Sequence, residues 1–429
     1  MKIYLSQIKN HIDQSVILQG WLQSRRGSGK ILFLQFRDGL GYIQAIAEEK
    51  NFSAEDFEVL KSLPQETSMR LEGTVSKHPK KDEYELQVSG FSIIQQPDTE
   101  YPISNKDHGV EFLFEKRHLW LRSKRQWAIQ RIRNTIIYAT YEFMNDNEFI
   151  KIDAPILTPN SCENTTDLYK VDHFGTDLYL SQSGQLYSEA AIFAHRKVFD
   201  FGPTFRAEKS KTRRHLNEFW MMDAEAAFMS HEKSMKVQES LICHIVKKVL
   251  EKNNQELIIL ERDIEALKKV QAPFIKMTHA EAIAELQEMG SDIGPDSDLG
   301  ATDETILTKK YDKPIFIEKY PAKIKAFYMK RDPENESLAL CSDLLAPEGY
   351  GEIIGGSARE DDYDTLLKRI QDEKLSAEDF EWYLDLRRFG SVPHAGFGFG
   401  LERLVTWISG IHHVREAIPF PRTLGRVHP

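Results

Sequence analysis

Cationic side chains are concentrated in one short segment of this 429-residue chain. The segment runs from Phe205 to Glu225, and its two ends alternate apolar and polar residues, which predicts an antiparallel hairpin with a basic loop. Arginine binds phosphate through two parallel hydrogen bonds, carboxylates hold amines or metals, and a phenyl ring stacks on a base. The segment therefore has the parts of a nucleoside triphosphate site, and a solvated charged loop is the alternative. The parts are Arg206, Glu208, Lys209, Lys211, Arg213, Arg214, His215, Glu218 and Phe219.

A second candidate stretch, HAGFGFGLERLVTWISG, spans residues 394–410. It lacks the glycine spacing and the preceding strand of a dinucleotide-binding fold, and the absence of a following Gly-Lys-Ser/Thr excludes a P-loop. The pattern predicts a strand almost without side chains that leads into a helix near Leu401, with Arg403 in the first turn. A planar ligand would lie on the glycine strip while Arg403 reaches a phosphate. Tight packing of the strand against the helix is the alternative.

Two isolated acids, Asp343 and Glu352, lie among apolar residues at the ends of strand-like runs. Acids in such places are rarely left unpaired. Two carboxylates beside bound phosphates attract Mg²⁺, which bridges phosphate oxygens and keeps several waters. The alternative is a plain ion pair with Arg359.

The N-terminal part of the chain has the pattern of a small β-barrel. Residues 1–100 hold short segments that alternate apolar and polar residues between Gly, Asp and Lys turns, which predicts a closed barrel of the oligonucleotide-binding (OB) type. We predict a linker over residues 101–118 and a second domain over residues 119–429.

Helical periodicity from Lys124 to Met144 precedes EFIKIDAPILTP, which predicts a strand with Pro155 at an edge or a bulge because proline cannot donate to a ladder. A long helix beside an edge strand indicates a dimer interface, and an ordinary helix and edge strand are the alternative. Later strand-like runs pair as hairpins, and residues near 230–310 have the pattern of a mostly helical insertion. The predicted fold class is α+β, with an antiparallel sheet flanked by helices in the second domain.

The composition is that of a soluble globular protein, with 28% charged residues and a net charge of −10. This acidity excludes a protein that coats nucleic acid with a uniformly basic surface, so a polyanionic partner requires locally concentrated positive charge. The N-terminal residues have no apolar core of signal-peptide length, and no apolar run approaches the ~18 to 20 residues that span a bilayer. We therefore expect a cytoplasmic protein without membrane contacts.

Three of these features resemble the signature motifs of the class II aminoacyl-tRNA synthetases. They are the long helix that ends at a proline-bearing strand, F-R-x-E followed by a basic loop, and G-x-G-x-E-R near the C-terminus. The resemblance covers essentially the whole chain, including the barrel, which binds the anticodon in the aspartyl, asparaginyl and lysyl branch. The stretches SQSGQLYSEA, FGPTFRAEKSKTRRHLNEFW, LAPEGYGEIIGGS and IPFPR are similar to the asparaginyl members.

The resemblance implies a homodimeric, ATP-dependent ligase that uses Mg²⁺ and joins L-asparagine to tRNA(Asn) through an asparaginyl-adenylate. It implies that Arg206 and Arg403 grip the phosphates of ATP and that Phe219 stacks on adenine. Asp343 and Glu352 would hold Mg²⁺, and the catalytic residues would be Arg206, Arg403 and Glu352. The residues implied to bind ATP are Arg206, Glu208, Arg214, His215, Leu216, Phe219, Glu352, Gly400 and Arg403.

The resemblance also implies the choice of amino acid. Aspartyl members carry Gln-x-x-Lys, whose lysine pairs with the substrate carboxylate, whereas this chain has Gln185 followed by the neutral Ser188 at the lysine position. A buried substrate carboxylate would therefore lack one cationic partner. Arg359 would donate to the amide oxygen, and Asp223, where asparaginyl members usually have Glu, would accept from the amide NH₂. The residues implied to bind the amino acid are Glu163, Gln185, Ser188, Asp223, Ser357 and Arg359.

In the barrel, ILFLQFRD is similar to the family strand whose aromatic ring stacks on the central anticodon base, which implies Phe33 for that role. Arg25, Arg26 and Gln44 match neighbours that contact anticodon phosphates and base edges. A place for Phe33 in the barrel core is the alternative, because it alternates within a buried-looking strand.

Three alternative functions each conflict with a feature of the sequence. An aspartyl enzyme of relaxed specificity conflicts with the neutral Ser188. A relative of this fold that makes asparagine from aspartate lacks the barrel. A non-catalytic RNA-binding or regulatory paralogue is expected to have lost Arg206, Glu352 or Arg403, and all three are present.

Overall fold

A computed structural model of the chain describes residues 1–104, 106–162 and 167–429. The described chain divides into two compact units, Met1–Val110 and Glu111–Pro429. Among the described residues, no helix combines the length and the apolar character needed to cross a bilayer. The cytoplasmic location stays a prediction.

The first unit is a closed barrel with the strand order β1-β2-β3-β5-β4, as predicted for an OB fold. Side chains alternate across each strand, so Leu34 and Phe36 of β2 are buried while Phe33 lies on the outer face. Helix α1 adds Phe57 and Leu60 to the same core. The elements are β1 (Ser15–Ser28), β2 (Ile31–Arg37), β3 (Tyr42–Glu48), α1 (Ala54–Ser62), β4 (Ser68–Lys77) and β5 (Tyr84–Gln95).

The second unit combines a large sheet with flanking helices, which confirms the α+β class. Its helices are α2 (Val110–Glu115, which begins at the boundary), α3 (Arg117–Trp120), α4 (Lys124–Asp146), α5 (Gln185–His195), α6 (His231–Lys252), α7 (Asn254–Ile259), α8 (Ile264–Lys268), α9 (His279–Glu288), α10 (Ala301–Lys309), α11 (Tyr363–Asp372), α12 (Glu381–Arg388) and α13 (Leu401–Ser409). Its strands are β6 (Ile150–Lys151), β7 (Leu157–Thr158), β8 (Lys170–His173), β9 (Thr176–Leu180), β10 (Lys197–Phe205), β11 (Glu218–Ala227), β12 (Ile275–Thr278), β13 (Ile315–Glu318), β14 (Arg331–Asp332), β15 (Asn335–Ala339), β16 (Cys341–Ala346), β17 (Gly351–Ala358) and β18 (His394–Gly400).

The large sheet has the strand order β12-β13-β16-β17-β18-β11-β10-β6. Its central strands pair antiparallel, as the hairpin pattern predicts. The two edge strands differ from the prediction, because β12 and β6 pair parallel with their neighbours. Parallel neighbours require a crossover connection, which α9 and α10 provide between β12 and β13, and α5 provides between β6 and β10.

The predicted strand EFIKIDAPILTP is divided in two. Strand β6 ends at Lys151 and β7 begins at Leu157, so Pro155 lies in the connection between them and the prediction of a strand proline is wrong. Proline has no N–H to donate to a ladder, so Pro155 fits this place outside both strands. Strand β6 nevertheless forms an edge of the sheet.

Long helices cover the sheet and form one core with it. The Ser123 and Ser230 side chains cap α4 and α6 by accepting from the backbone N–H groups of Gln126 and Lys233. Helix α13 follows β18 directly and is buried along most of its length, with Trp407 fully enclosed. This packing fixes the start of α13 and with it the position of Arg403.

Candidate active site

A cavity of about 410 Å³ lies over the middle of the large sheet. Every residue implied to bind ATP contributes to its wall, and so do Asp343, Gln185, Asp223 and Arg359. The structure therefore brings the hairpin, the glycine strip and the acidic pair together, although their individual roles stay predictions. Glu163 lies outside the described residues.

The basic loop divides its cations between solvent and cavity. Lys209 and Lys211 are exposed, whereas Arg206 and His215 line the cavity. The Arg206 guanidinium carbon lies 5.9 Å from the centroid of the Phe219 ring across the hairpin. Burial and the nearby Arg403 lower the pKa of His215, which keeps the imidazole neutral near pH 7. Lys209 and Lys211 therefore match the alternative of a solvated charged loop, whereas Arg206 and His215 are available to the cavity.

The Arg214 side chain is held by hydrogen bonds, two of them to residues of α10. It donates to Glu304 Oε2 at 2.5 Å, to Thr305 Oγ1 at 2.6 Å and to the Gly349 carbonyl at 2.9 Å. Burial and the Glu352 carboxylate raise the pKa of Glu304 to about 7. Glu304 also accepts from the backbone N–H of Glu352 at 2.9 Å. The sequence analysis did not predict Glu304 as a site residue, because it lies in a helix whose charged pattern is typical of a protein surface.

Arg403 reaches the cavity from the first turn of α13. Its Nη1 donates to Glu352 Oε2 at 2.8 Å. Burial by itself would raise the pKa of Glu352, but Arg403, followed by Lys325, holds that pKa below its ordinary value. Arg359 pairs with Glu225 and not with the acidic pair, so the alternative of an ion pair between Arg359 and those acids is wrong.

The acidic pair converges because a glycine lies between its members. Asp343 on β16 is in register with Gly355 on β17. A Cβ at Gly355 would lie 3.3 Å from Glu352 Oε1 and 3.7 Å from Asp343 Oδ1. The other Asp343 oxygen accepts from Lys325 Nζ at 3.0 Å, a contact that the sequence reading missed.

These carboxylates fit Mg²⁺ as oxygen donors. Glu352 Oε1 and Asp343 Oδ1 face the same space, and their partner oxygens hold Arg403 and Lys325. Within the described ranges no group of three or more His, Cys, Asp or Glu side chains has the arrangement of a metal site. The pair alone therefore supplies too few ligands, and phosphate oxygens and waters would complete the coordination.

Arg359 lines the other end of the cavity and forms a buried ion pair with Glu225, which lies behind the wall. Arg359 Nη2 donates to Glu225 Oε1 at 2.5 Å, and Nη1 donates to Ser357 Oγ at 2.8 Å. Burial, with a contribution from Glu189, raises the pKa of Glu225 to about 7, while Arg359 opposes that shift. The sequence reading missed Glu225, although it lies two residues from Asp223 on the same face of β11.

The glycine strip makes room for these two acids. Gly396 and Gly398 pair with Glu225 and Asp223 on the neighbouring strand. A Cβ at Gly396 would lie 2.0 Å from Glu225 Oε1, and one at Gly398 would lie 2.4 Å from Asp223 Oδ1. Each glycine is therefore required by a carboxylate that lies above it.

The remaining residues implied to bind the amino acid differ in position. Asp223 accepts from Ser183 Oγ and from the Gly184 N–H, both at 2.9 Å. Ser188 is fully buried behind the wall, and its Oγ finds no hydrogen-bond partner among the described residues. Ser357 is also buried and contacts Arg359 rather than the cavity. Ser188 and Ser357 therefore support the wall but do not form it.

The first unit carries the residues implied to bind the anticodon. Phe33 is half-buried on the outer face of β2, so the alternative that places it in the barrel core is wrong. The Arg26 guanidinium carbon lies 5.4 Å from the Phe33 ring centroid. Arg25 donates to the Leu63 carbonyl at 2.7 Å, and Gln44 donates to Glu85 Oε1 at 2.8 Å. The half-buried Phe33 and the exposed Arg26 thus form an aromatic and cationic pair on the outer face of the barrel.

Both units of the chain match known protein families. Residues 109–424 match the family described as tRNA synthetases class II (D, K and N), and residues 16–94 match the OB-fold nucleic acid binding domain. The chain is 43% identical to asparaginyl-tRNA synthetase from Pyrococcus horikoshii, whose structure contains asparaginyl-adenylate, with 100% of each chain covered and a TM-score of 0.95.

Two proteins of Entamoeba histolytica are also similar to the chain. Its asparaginyl-tRNA synthetase is 31% identical, with 100% of this chain and 99% of that chain covered and a TM-score of 0.91. Its aspartyl-tRNA synthetase is 26% identical, with 100% and 93% covered and a TM-score of 0.83. Since the family match extends over most of the chain and includes all the described residues of the cavity wall, the chain belongs to the class II tRNA synthetases of the D, K and N group.

Proposed function

We propose that this protein ligates L-asparagine to tRNA(Asn) in two steps. Asparagine and ATP give asparaginyl-adenylate and pyrophosphate, and the 3′-terminal adenosine of the tRNA then takes the aminoacyl group and releases AMP. The observation that carries the proposal is one cavity with arginines and an acidic pair at one end and Arg359 with Asp223 at the other. The similarity to asparaginyl enzymes supports it.

The first step requires positioning and charge neutralisation more than a covalent catalyst. The asparagine carboxylate attacks the α-phosphate in line with the departing pyrophosphate. Arg206 and Arg403 on the cavity wall would neutralise the charge that develops on the phosphates, and Phe219 would offer a face for adenine. Asp343 and Glu352 would hold Mg²⁺, which supplies further neutralisation of the phosphates when bound. The site is partly buried, so its cations are less screened by water and attract the phosphate charges more strongly than they would in bulk solvent.

In the second step a ribose hydroxyl of the terminal adenosine attacks the carbonyl carbon of the adenylate. The C–O bond to the phosphate breaks, AMP leaves with the bonding electron pair, and the hydroxyl proton passes to the phosphate side of the mixed anhydride. The protein contributes by holding the carbonyl and the phosphate in fixed positions through the same arginines.

The amino-acid end of the cavity favours an amide over a carboxylate. Arg359 would donate to the amide oxygen, and Asp223 would accept from the NH₂ group, so both ends of a carboxamide would find partners on the cavity wall. An aspartate side chain would instead bring a third buried carboxylate near Glu225 and Asp223. With Ser188 in place of a lysine, no added cation offsets that repulsion.

Amino-acid-dependent exchange of pyrophosphate into ATP tests this function. We expect asparagine to support exchange at least about a hundredfold more efficiently than aspartate, because an unpaired buried charge costs several kcal/mol. Comparable exchange with both amino acids would instead support an aspartyl enzyme of relaxed specificity. Exchange with neither would contradict the proposal.

We propose that the first unit binds the anticodon through Phe33. Changing Phe33 to Ala is expected to raise the KM for tRNA by about tenfold, because stacking on a base contributes roughly 1–3 kcal/mol. Pyrophosphate exchange should not change, because the cavity lies in the second unit. The exposed Tyr4, which lies outside the barrel strands, provides the control Tyr4→Ala. Equal tRNA charging by the Phe33 variant and by the control would remove Phe33 from the anticodon site.

We propose that the protein is a homodimer that pairs through α4 and the β6 edge. Tyr138 on α4 is 66% exposed, and Ile150 on the edge strand β6 is 48% exposed, and both are large side chains with apolar surface. A second copy of the chain would bury both. Sedimentation equilibrium should give twice the 49.6 kDa of one chain. A single species of 49.6 kDa at micromolar concentration would contradict the dimer.

A further inference from the structure

A buried carboxylate outside the cavity contacts a residue on the cavity wall. The Glu189 side chain has no exposed surface and does not line the cavity. It lies one turn along α5 from Gln185, which does line the cavity. Glu189 Oε1 accepts from Gln185 Nε2 at 3.1 Å.

Three donors hold the second oxygen of Glu189. Its Oε2 accepts from Tyr383 Oη at 2.7 Å, Arg387 Nη2 at 2.8 Å and His394 Nε2 at 3.0 Å. Burial alone would raise the pKa of Glu189, but Arg387 and then His394 hold that pKa below its ordinary value. Glu189 is therefore an acceptor at both oxygens.

This arrangement determines which end of the Gln185 carboxamide faces the cavity. Only an NH₂ group can donate to a carboxylate, so the amide oxygen of Gln185 must turn away from Glu189. That oxygen accepts no hydrogen bond from the described part of the chain, and Gln185 follows the Ser183–Gly184 pair that holds Asp223. The wall therefore presents an amide oxygen near a carboxylate, which are acceptors suited to an ammonium group.

We infer that Glu189 is a positioning residue that orients Gln185 so that its carboxamide oxygen, and not its NH₂ group, meets the α-ammonium group of the amino acid. The inference rests on the proposed function, since it assigns an amino acid to this end of the cavity. Loss of this orientation should weaken asparagine binding specifically at its ammonium group. General destabilisation of a buried ion pair would not act on that group selectively.

The variant Glu189→Gln separates these two explanations. Tyr383, Arg387 and His394 still offer three donors, so the new carboxamide must turn its oxygen toward them and its NH₂ group toward Gln185. Gln185 must then accept, and its own NH₂ group turns to the cavity. We expect the KM for asparagine to rise at least about tenfold, because a hydrogen bond to a charged group is replaced by repulsion. The KM for ATP should stay within about twofold of the original protein.

A second variant reverses the hydrogen bond and restores the acceptor. In Gln185→Glu combined with Glu189→Gln, the NH₂ group at 189 donates to the carboxylate at 185, which again presents an oxygen to the cavity. One buried carboxylate is kept, and the three donors keep their acceptor. We expect the KM for asparagine to return to within about threefold of its original value.

Succinamate, which is asparagine without its amino group, reports whether the ammonium group is involved. Its inhibition constant in pyrophosphate exchange should change less than about twofold in Glu189→Gln, while the KM for asparagine changes about tenfold. Glu360→Gln is the matched control, because Glu360 is buried beside the same Arg387 but accepts from the backbone N–H groups of Asp361 and Asp362. It should leave both constants unchanged.

The outcomes are distinct. An unchanged KM for asparagine in Glu189→Gln, a double variant as impaired as the single one, or equal losses for asparagine and succinamate would overturn the inference while leaving the proposed function intact. Failure of the unmodified protein to exchange pyrophosphate with asparagine would instead overturn the proposed function. Thermal melts of each variant show whether the comparison is made between folded proteins.

Discussion

Changing Arg403 to Ala is expected to lower the rate of asparagine-dependent pyrophosphate exchange by about a thousandfold. The guanidinium lies on the cavity wall, and its position is fixed because α13 begins directly after β18. Its removal takes one positive charge from the site where the phosphates gain charge in the transition state. It also leaves Glu352 without the 2.8 Å hydrogen bond that now holds it.

Changing Arg403 to Lys is expected to recover only part of the lost rate. A lysine keeps the charge but lacks the planar fork that binds two phosphate oxygens at once. We therefore expect a loss of about tenfold to a hundredfold relative to arginine. Arg388→Ala is the control, because Arg388 is a partly exposed arginine of α12 that pairs with Glu381 and Asp385 away from the cavity. Exchange by Arg403→Ala at the rate of this control would remove Arg403 from the catalytic residues.

Periodicity and local motifs predict most of this fold because they depend on neighbouring residues. Alternation along ILFLQFR gives β2 its buried and exposed faces, and the apolar spacing of residues 124–144 gives α4. The two parallel edge strands could not be predicted in the same way. Their direction depends on crossover helices and on a sheet order that no local pattern contains.

The residues of the candidate site likewise include some that local motifs predict and others that only tertiary contacts reveal. Arg206, Phe219 and Arg403 lie in contiguous motifs whose residue types by themselves suggest phosphate and base binding. Glu304 and Lys325 do not, because each reaches the cavity through contacts with distant residues. A buried acid on a charged helix and a lysine beside Asp343 have no local signal, so only the tertiary structure identifies them.

Glu225 belongs to a pattern whose two halves lie far apart in the sequence. The glycines of HAGFGFG alternate at the spacing of β11, where Asp223 and Glu225 point to one face. Three glycines at period two indicate a neighbouring strand that needs space, and two acids at period two are the side chains that need it. The sequence contained both patterns, but their register across two strands separated by about 170 residues was required to connect them.

Changing Arg359 to Met is expected to reduce asparagine activation by at least about a thousandfold and to destabilise the protein by about 3–5 kcal/mol. The activity falls because the amide oxygen of the substrate loses its donor. The stability falls because Glu225 is left buried without its ion-pair partner, which raises its pKa further above about 7 and leaves it protonated at neutral pH.

The double variant Arg359→Met with Glu225→Met separates the two effects. Replacing both partners of a buried ion pair by apolar side chains is often close to neutral for stability, so the melting temperature should recover most of the loss. Asparagine activation should not recover, because the Arg359 donor for the amide oxygen is still missing. Thermal denaturation and pyrophosphate exchange on the same preparations measure both quantities. If activity returned together with stability, Arg359 would have only a structural role, and the choice of the amide would have to be made elsewhere in the cavity.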